Sequence, residues 1–461
     1  MKPVLSVEEM RAVDLATQAS IGIEVLIERA GYAVAHRALA LLGGAYGQRV
    51  VVVAGKGHNG DDGRVAAHAL STRGVGVATF GLDDGIRRVP PCDLVIDAAF
   101  GTGFRGSYRA PRVEPGTRVL SVDIPTGVNA DTGVACPGAV RADATVTFGG
   151  LKPGLILGEG PSYAGEIEIA DIGLLMGTAR AHLVEDADVV ANLIPRRLDG
   201  HKWDTAVLVV AGSPGMSGAA RLVCLGALRA GSGMIRLFSP GAVLGAPLVT
   251  EVVAKEVPSY AWATTTADAA TRCRAIVVGP GLGGAEETKR EIKRFLSMTA
   301  APVVLDADGL NAFSSPKELF DICKERSGPV LLTPHDGEFA RLTGAQVDED
   351  RTAAVRALAS QANATVLLKG PTTIVATPSG EVCYAATGTP RLSTAGSGDV
   401  LSGVIGAFLA RGLQPMLAGA LGAHVHGRGA SRGDAEGLIA SDLPALVAAY
   451  LSDAGRVLPR E

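Results

Sequence analysis

Short runs of β-branched and aliphatic residues recur along the chain, and each one stops at glycine or a polar side chain. The first is Arg49-Val50-Val51-Val52-Val53-Ala54-Gly55. Leu94-Val95-Ile96-Asp97, Val119-Leu120-Ser121-Val122-Asp123 and Val146-Thr147-Phe148 follow it. The pattern restarts at Ala206-Val207-Leu208-Val209-Val210-Ala211 and continues through Ala275-Ile276-Val277-Val278, Val303-Val304-Leu305, Val330-Leu331-Leu332 and Thr365-Val366-Leu367-Leu368. Unbroken apolar runs of this length mark strands covered on both faces, as in parallel sheets. Between them the apolar spacing is helical: Val65, Ala66, Ala67, Ala69 and Leu70; the stretch from Ser217 to Ala230; and Val400, Leu401, Val404, Ile405, Ala407, Phe408 and Leu409. Two series of alternating strands and helices predict an α/β protein of two domains, each a three-layer αβα sandwich.

The N-terminus adds helices. Ser6-Val7-Glu8-Glu9 has the capping-box pattern and predicts a helix to about Ala16. A second helix carries Val25, Leu26 and Ile27, runs on to Leu42, and meets its stop at Gly43-Gly44. Residues from about Thr178 to His201 are charged and poor in glycine, and the boundary is placed there, giving domains of residues 1–190 and 191–461.

Composition removes several function classes. A net charge of −4 and only 4% aromatic residues provide neither a basic surface nor base-stacking platforms, so no nucleic-acid partner is expected. Glycine, proline or charge interrupts every apolar stretch before it reaches membrane-spanning length, and the first residues lack a basic start followed by an apolar run. No membrane partner is expected, and a cytoplasmic location is. Cys92, Cys136, Cys224, Cys273, Cys323 and Cys383 are scattered without CxxC or Cys/His spacing, so they read as reduced thiols and not as zinc ligands.

The polar stops carry the candidate chemistry. Gly55-Lys56-Gly57-His58-Asn59-Gly60-Asp61-Asp62-Gly63 lies between a strand and a helix, where open parallel sheets bind ligands, although it is neither a GxGxxG nor a Walker sequence. Asp97 with Gly101–Gly106, and Asp123 with Ile124-Pro125-Thr126-Gly127, end two further strands and are expected at the same crevice. Asn59, Asp97 and Thr126 offer oxygen ligands from three loops, which suits a monovalent cation. Asp123 is the acid/base candidate with Lys152 as its partner; a structural ion pair is the alternative. In the second half, Thr394-Ala395-Gly396-Ser397-Gly398-Asp399 opens a helix, so its backbone N–H groups favour an anion. Asp399 sets a carboxylate beside that anion, as catalytic base or as a simple helix cap. Lys369 adds a cation at a strand end, and the set suits phosphoryl transfer, which needs positioning and charge more than covalent chemistry. His335 either touches substrate or is structural.

Taken in order, these motifs resemble the family of bifunctional NAD(P)H-hydrate repair enzymes, an epimerase domain fused to a nucleotide-dependent dehydratase domain. Gly55–Gly63, Asp97 with Gly101–Gly106, Asp123–Gly127 and Lys152 resemble the epimerase. Gly212-Ser213, Ser217–Ala220, Gly279–Gly283, Thr333–Glu338, Lys369-Gly370 and Thr394–Asp399 resemble the dehydratase, which is itself similar to ribokinase-like kinases. The resemblance implies a Rossmann-like first domain and a ribokinase-like second one. It implies R and S hydrates of NADH and NADPH (NADHX and NADPHX) as substrates, with ADP or ATP as phosphoryl donor, Mg²⁺ accompanying the nucleotide and K⁺ at the epimerase site. By the same likeness His58, Asn59, Gly60, Asp61, Asp62, Gly101, Thr102, Gly103, Phe104, Arg105, Gly106, Ser107 and Asp123 would hold the hydrate in the first domain. K⁺ would lie on Asn59, Asp97 and Thr126. In the second domain Ala219, Gly283, His335 and Asp399 would face the hydrate, while Lys369, Gly370, Pro371, Thr372, Thr373, Gly396 and Gly398 would hold the nucleotide. A homo-oligomer is the expected assembly. A ribokinase-like small-molecule kinase fused to a non-catalytic binding module is the alternative. Where the family loop reads Asn-Asn-Gly-Gly-Asp-Gly, this chain has Asp61 in place of a glycine, which is expected to crowd the ligand or strain the backbone and to add a charge beside the dinucleotide. Thr126 replaces the usual serine and keeps its hydroxyl.

Overall fold

The computed structural model describes residues 1–177, 179–192, 198–242 and 249–456. Their contacts divide into two compact units, one from Lys2 to Ala181 and one from His182 onward with Met1.

The first unit is built on six parallel strands: β1 (Arg49–Ala54), β2 (Gly76–Gly81), β3 (Leu94–Ala98), β4 (Arg118–Val122), β5 (Ala144–Phe148) and β6 (Glu166–Ala170), in the order β2-β1-β3-β4-β5-β6. Helices α1 (Val7–Ile21), α2 (Ile23–Leu42) and α3 (His58–Ser71) complete it. Val50 and Val52 of β1 and Leu94 and Ile96 of β3 join Leu26, Val34 and Ala38 of α2 and Ala66 and Leu70 of α3 in one buried cluster. The alternate positions Val51, Val53 and Val95 pack on the opposite side with Val89, Val119 and Val140, as the two-residue period of a strand requires. The Ser6 capping box forms as expected, but α1 runs to Ile21, because nothing in Gln18–Ser20 breaks a helix before Gly22. The chain order reverses between β1 and β3, so the loops after β1, β3 and β4 gather at a switch point.

The second unit carries β7 (Ala206–Val210), β8 (Met234–Pro240), β9 (Val252–Val257), β10 (Ala275–Val278), β11 (Val303–Leu305), β12 (Val330–Leu332), β13 (Thr365–Leu368), β14 (Thr373–Ala376) and β15 (Val382–Ala385). Within their sheet these nine lie in the order β15-β14-β13-β12-β11-β10-β7-β8-β9. β13 to β9 are parallel, and β14 and β15 turn back antiparallel. The switch point here is between β7 and β10. Val207, Val209, Val277, Val304 and Leu331 face helices α4 (Ser217–Arg229), α6 (Ser397–Ala410) and α7 (Pro415–Ala430) in one core. Their neighbours Leu208, Ile276, Val303 and Leu332 are equally buried, so both faces are covered. A further helix, α5 (Asp336–Thr343), follows β12.

The strands that apolar runs do not announce are β2, β6, β8, β9 and the β14–β15 hairpin. β2 buries none of its positions and β9 only one, both at sheet edges, and β6 alternates glutamate with isoleucine at another edge. One-sided burial removes the continuous run that marks an inner strand.

α4 and α6 cross at glycines. A methyl on Gly403 would meet the Val223 carbonyl oxygen at 2.1 Å, and one on Gly226 the Val400 carbonyl oxygen at 2.4 Å. Only bare backbone permits that approach, and α6 is the helix that presents Asp399. Gly403→Ala is therefore expected to destabilise the protein by about 1–3 kcal/mol through overpacking. Gly218→Ala, where the added methyl meets open space, should be neutral or stabilise by up to about 1 kcal/mol through helix propensity. Denaturant unfolding of both variants checks this; equal effects would show that the crossing is not tight.

Candidate active sites

At the first switch point the three carboxyl-end loops enclose a cavity of about 730 Å³. Asp97, at the end of β3, is 2% exposed. It accepts hydrogen bonds from Ser121 Oγ (2.9 Å), Thr126 N (2.9 Å) and Thr126 Oγ1 (2.7 Å). Burial pushes its pKa up, and those donors oppose the rise. Among the described residues no cationic side chain pairs with it. Asn59, in the first turn of α3, has its Nδ2 buried without a partner, while its Oδ1 lies beside Gly101. Asp123 sits in a left-handed backbone conformation, φ 68°, a strained setting for a non-glycine residue that aims its side chain off the strand end. Its Oδ1 is 2.6 Å from Lys152 Nζ and accepts from Thr147 Oγ1 at 3.1 Å. Lys152 is 1% exposed and also donates to Thr147 Oγ1 (2.8 Å) and the Phe148 carbonyl (3.1 Å).

Beside this pair stands a carboxyl of another kind. Asp62 is buried; desolvation first, then the charges of Asp123, Asp61 and Asp14, push its pKa up to about 8. Near neutral pH it is therefore a proton donor. Asp14, on α1, is raised as well, chiefly by burial, with Lys152 opposing. His58, Asn59, Asp62, Gly101, Thr102, Gly103, Phe104, Asp123 and Lys152 line the cavity; Gly60, Asp61, Arg105, Gly106 and Ser107 do not. The stretch from His58 to Gly63 is the opening of α3 and not a loop. Asp61 accordingly keeps a helical backbone, turns outward and pairs with Arg64 at 2.8 Å. The crowding and strain expected of it are absent because the helix carries its side chain away from the cavity, and Arg64 offsets its charge.

In the second unit α6 is entered through its N-cap, Gly396, at φ 90°, a conformation that glycine adopts without strain. The first N–H groups of α6 thus open toward Lys369, with Asp399 in the same turn. A methyl on Gly398 would stand 3.6 Å from Lys369 Nζ, so the two border one space. Lys369 Nζ is 2.5 Å from Asp306 Oδ1, and Asp306 Oδ2 accepts from Ser402 Oγ of α6 at 2.6 Å. Burial works against the Lys369 charge, but Asp306 and Glu338 outweigh it and its pKa ends raised. Asp399 is pushed up to about 6 by burial and by Asp306, with Lys369 opposing and Asp308 adding. Asp308 accepts from the Gly283 N–H at 2.8 Å, which ties the β11 loop to the glycine turn after β10. Lys369, Gly370, Pro371, Thr373 and Gly398 line a cavity of about 490 Å³; Thr372 and Gly396 lie outside its wall. A methyl on Gly281 would meet Ala219 Cβ at 2.9 Å, which brings the β10 turn against the start of α4. His335 caps α5: its Nδ1 accepts from Gly337 N (3.0 Å) and Glu338 N (3.3 Å), while Glu338 answers its own N–H at 2.9 Å. Its ring is still 56% exposed.

Asp14 and His426 gave no signal in the sequence, since each lies inside a helix with no motif around it; Ser402, one turn past Asp399, adjoins the 394–399 motif but was not singled out. Asp306 and Asp308 follow a strand much as Asp97 ends one, and that placement was a usable signal.

Comparison with known proteins decides the affiliation. The family described as NAD(P)H-hydrate dehydratase matches residues 207–452, and that described as YjeF-related protein N-terminus matches residues 23–89 and 79–154. A bifunctional NAD(P)H-hydrate repair enzyme of Mycobacterium leprae is 37% identical, with 94% of each chain covered. Its counterpart in Moorella thermoacetica is 34% identical, with 82% of each covered. The chain belongs to the bifunctional NAD(P)H-hydrate repair enzyme family. Among solved structures, the Bacillus subtilis ADP/ATP-dependent NAD(P)H-hydrate dehydratase co-crystallised with ATP/Mg²⁺ is 31% identical. It covers 59% of this chain and 97% of its own, with a TM-score of 0.51. A ribokinase-like superfamily protein from Enterococcus faecalis, 19% identical, covers 61% of this chain and 99% of its own at a TM-score of 0.52, which supports the ribokinase-like fold of the second unit. Within the family's two-domain plan, the parallel first sheet is Rossmann-like. No described helix is long and apolar enough to cross a membrane.

The Asp62 carboxyl gives a pH signature. The folded protein keeps a proton that the unfolded chain releases at its ordinary carboxylate pKa. Relative to Asp62→Asn, the wild type should therefore lose stability as pH climbs from about 4 to about 8 and level off above that. Denaturant unfolding of both proteins at about pH 5, 7 and 9 reads the difference; a gap independent of pH would mean that Asp62 is ionised in the fold.

Proposed function

We propose that the chain repairs hydrated NADH and NADPH, the first unit interconverting the R and S hydrates and the second removing water from the S form at the expense of ADP or ATP. The observation that carries this reading is Asp399: a carboxylate raised to about 6, in the turn whose N–H groups favour an anion, beside the Lys369 cation. Such a group takes the proton from the substrate hydroxyl as that oxygen attacks the terminal phosphorus of the nucleotide. The new O–P bond forms, the P–O bond to the nucleotide breaks, and AMP or ADP leaves. Phosphate then departs with the C–O bond pair while the neighbouring carbon gives up a proton, which restores the ring double bond. Lys369 to Thr373, Gly396 and Gly398 are proposed to hold the nucleotide, and Ala219, Gly283, His335 and Asp399 to face the hydrate.

Among the described residues no group of three or more His, Cys, Asp or Glu is placed to hold an ion by itself. Mg²⁺ entering with the nucleotide fits that arrangement, since it commonly takes one or two carboxylates and fills its shell with phosphate and water. Asp308, whose charge acts on Asp399, is the carboxylate that would receive it, which leaves Asp399 free as the base. The metal would neutralise phosphate charge in the transition state.

In the first unit, exchange of configuration at the hydroxyl-bearing carbon requires a proton for the departing oxygen and a base for the returning water. Asp62, held protonated, suits the first task and the Asp123–Lys152 pair the second. K⁺ is proposed on Asn59, Asp97 and Thr126. Asp97 and Thr126 satisfy each other, so the support comes from the unpartnered Asn59 amide and the buried Asp97 charge. Rotating that amide would present its oxygen, and an assignment of amide ends is a matter of the bonds it can make. K⁺ would supply the missing countercharge there. His58, Gly101, Thr102, Gly103 and Phe104 would hold the hydrate.

Two outcomes test the proposal on the full chain. Asp399→Asn should lower dehydration of S-NADPH hydrate with ADP by about 10²- to 10⁴-fold with nucleotide affinity nearly intact. The wild-type kcat/KM should fall below about pH 6 as Asp399 takes up a proton. Recovery of dihydronicotinamide absorbance is the readout; accumulation of a stable phosphorylated hydrate would instead mark a kinase. With dehydration blocked in Asp399→Asn, R-to-S exchange should persist, depend on K⁺ over Na⁺, and disappear in the Asp123→Asn double variant. Exchange no faster than the spontaneous rate would reduce the first unit to a binding module.

A further inference from the structure

The cavity beside Lys369 has apolar walls in Pro371, Pro390, Leu392 and Leu401, and one polar ring is sunk among them. His426 of α7 lines that cavity, is 4% exposed, and has its Nε2 buried without a hydrogen-bond partner. Leaving such a nitrogen unmatched costs on the order of 1–3 kcal/mol. The ring also makes a hydrogen bond to the backbone of Ser397, in the first turn of α6, and that bond favours the protonated ring, as a carbonyl acceptor does. The Ser397 N–H is already directed to the Thr394 carbonyl at 3.3 Å, so the carbonyl is the group left for the ring. Burial keeps the imidazole neutral, its pKa pushed down to about 4. A neutral imidazole that donates through one nitrogen accepts through the other. Nε2 is then an acceptor, and only a donor entering the cavity can satisfy it. The terminal phosphates of a bound nucleotide offer oxygens and no such donor. A nucleoside offers several, in its ribose hydroxyls and the adenine amino group.

We propose that His426 is a specificity residue of the second unit, its Nε2 accepting a hydrogen bond from the nucleoside portion of bound ADP or ATP. This rests on the cavity being the nucleotide site. It gives the site a way to tell a nucleotide from a bare polyphosphate, which Lys369 and the α6 amides alone do not provide. The apolar walls strengthen the contact, because a hydrogen bond shielded from water has no competitor.

Isothermal titration of the full chain with ADP, 2′-deoxy-ADP, 3′-deoxy-ADP, inosine diphosphate and pyrophosphate tests it. The wild type should bind one of the three analogues about tenfold more weakly than ADP, the worth of one buried hydrogen bond, and that analogue identifies the donor as a ribose hydroxyl or the amine. His426→Phe should lose about tenfold for ADP and nothing for that analogue or for pyrophosphate. His426→Gln, whose amide oxygen can reach the Nε2 position, should keep ADP affinity within about threefold. Equal wild-type affinity for all four nucleotides overturns the proposal even if the Phe variant does not fold. So does a folded Phe variant that binds ADP as the wild type does, or that weakens all ligands alike. A wild type that binds no ADP overturns the nucleotide site itself, whereas normal ADP binding with an indifferent His426 overturns this inference alone.

Discussion

The buried pair of Lys369 and Asp306 is the contact on which the arrangement of the second unit's candidate site depends. Each group alone would be untenable where it lies: Asp306 is 1% exposed, and Lys369 is sunk between carboxylates. An unpaired charge in such a place costs several kcal/mol, so the two must be made together. Their union fixes the ends of β11 and β13, and Ser402 bonds the other oxygen of Asp306 to α6. Three elements that the chain supplies at residues 306, 369 and 402 are thereby held at one point. The glycine crossing of α4 and α6 then determines how closely α6 approaches the sheet, and so where Asp399 stands.

The first unit solves the same problem with the same residue types. Lys152 is fully buried against Asp123 and Thr147, and the strained backbone at Asp123 turns the carboxylate to meet it. In both units the lysine is spent on an inner carboxylate. A second carboxyl is left nearby, pushed upward because burial and a like charge both penalise its ionisation. That carboxyl is Asp62 in one unit and Asp399 in the other. Ala307 adjoins Asp306 with φ 51°, so a non-glycine residue in the left-handed region marks the acid at each switch point.

The sequence made the inner strands and their polar ends legible because burial on both faces writes itself as an unbroken apolar run. It hid β2, β6 and β9 because edge strands mix polar and apolar positions. At the sites, residues at a strand end or in a glycine-marked helix start were readable: Asp97, Asp123, Lys369 and the 394–399 turn. Residues that reach a site from deeper within a helix, away from any glycine-rich start, were not. Asp14 and His426 occupy positions where a helical pattern says only which face is buried, and the direction of a buried polar side chain depends on packing that periodicity does not encode. Asp61 failed in the opposite sense. Its local sequence suggested a loop with a forbidden angle, and the helix of which it is part removed both the strain and the obstruction.

Of the raised carboxyls, Asp62 and Asp399 fall on opposite sides of neutrality, and that division fits the two proposed roles. Epimerisation begins by protonating an oxygen, which asks for an acid that still holds its proton near pH 7; Asp62 at about 8 does. Phosphorylation begins by removing a proton from a hydroxyl, which asks for a base that has already lost its own; Asp399 at about 6 has. Both values arise from the same desolvation. Asp399 in addition has Lys369 opposing the rise, whereas the charges acting on Asp62 are those of other carboxylates. A lysine near enough to count, or committed elsewhere, is thus one lever on the proton affinity of a buried carboxyl.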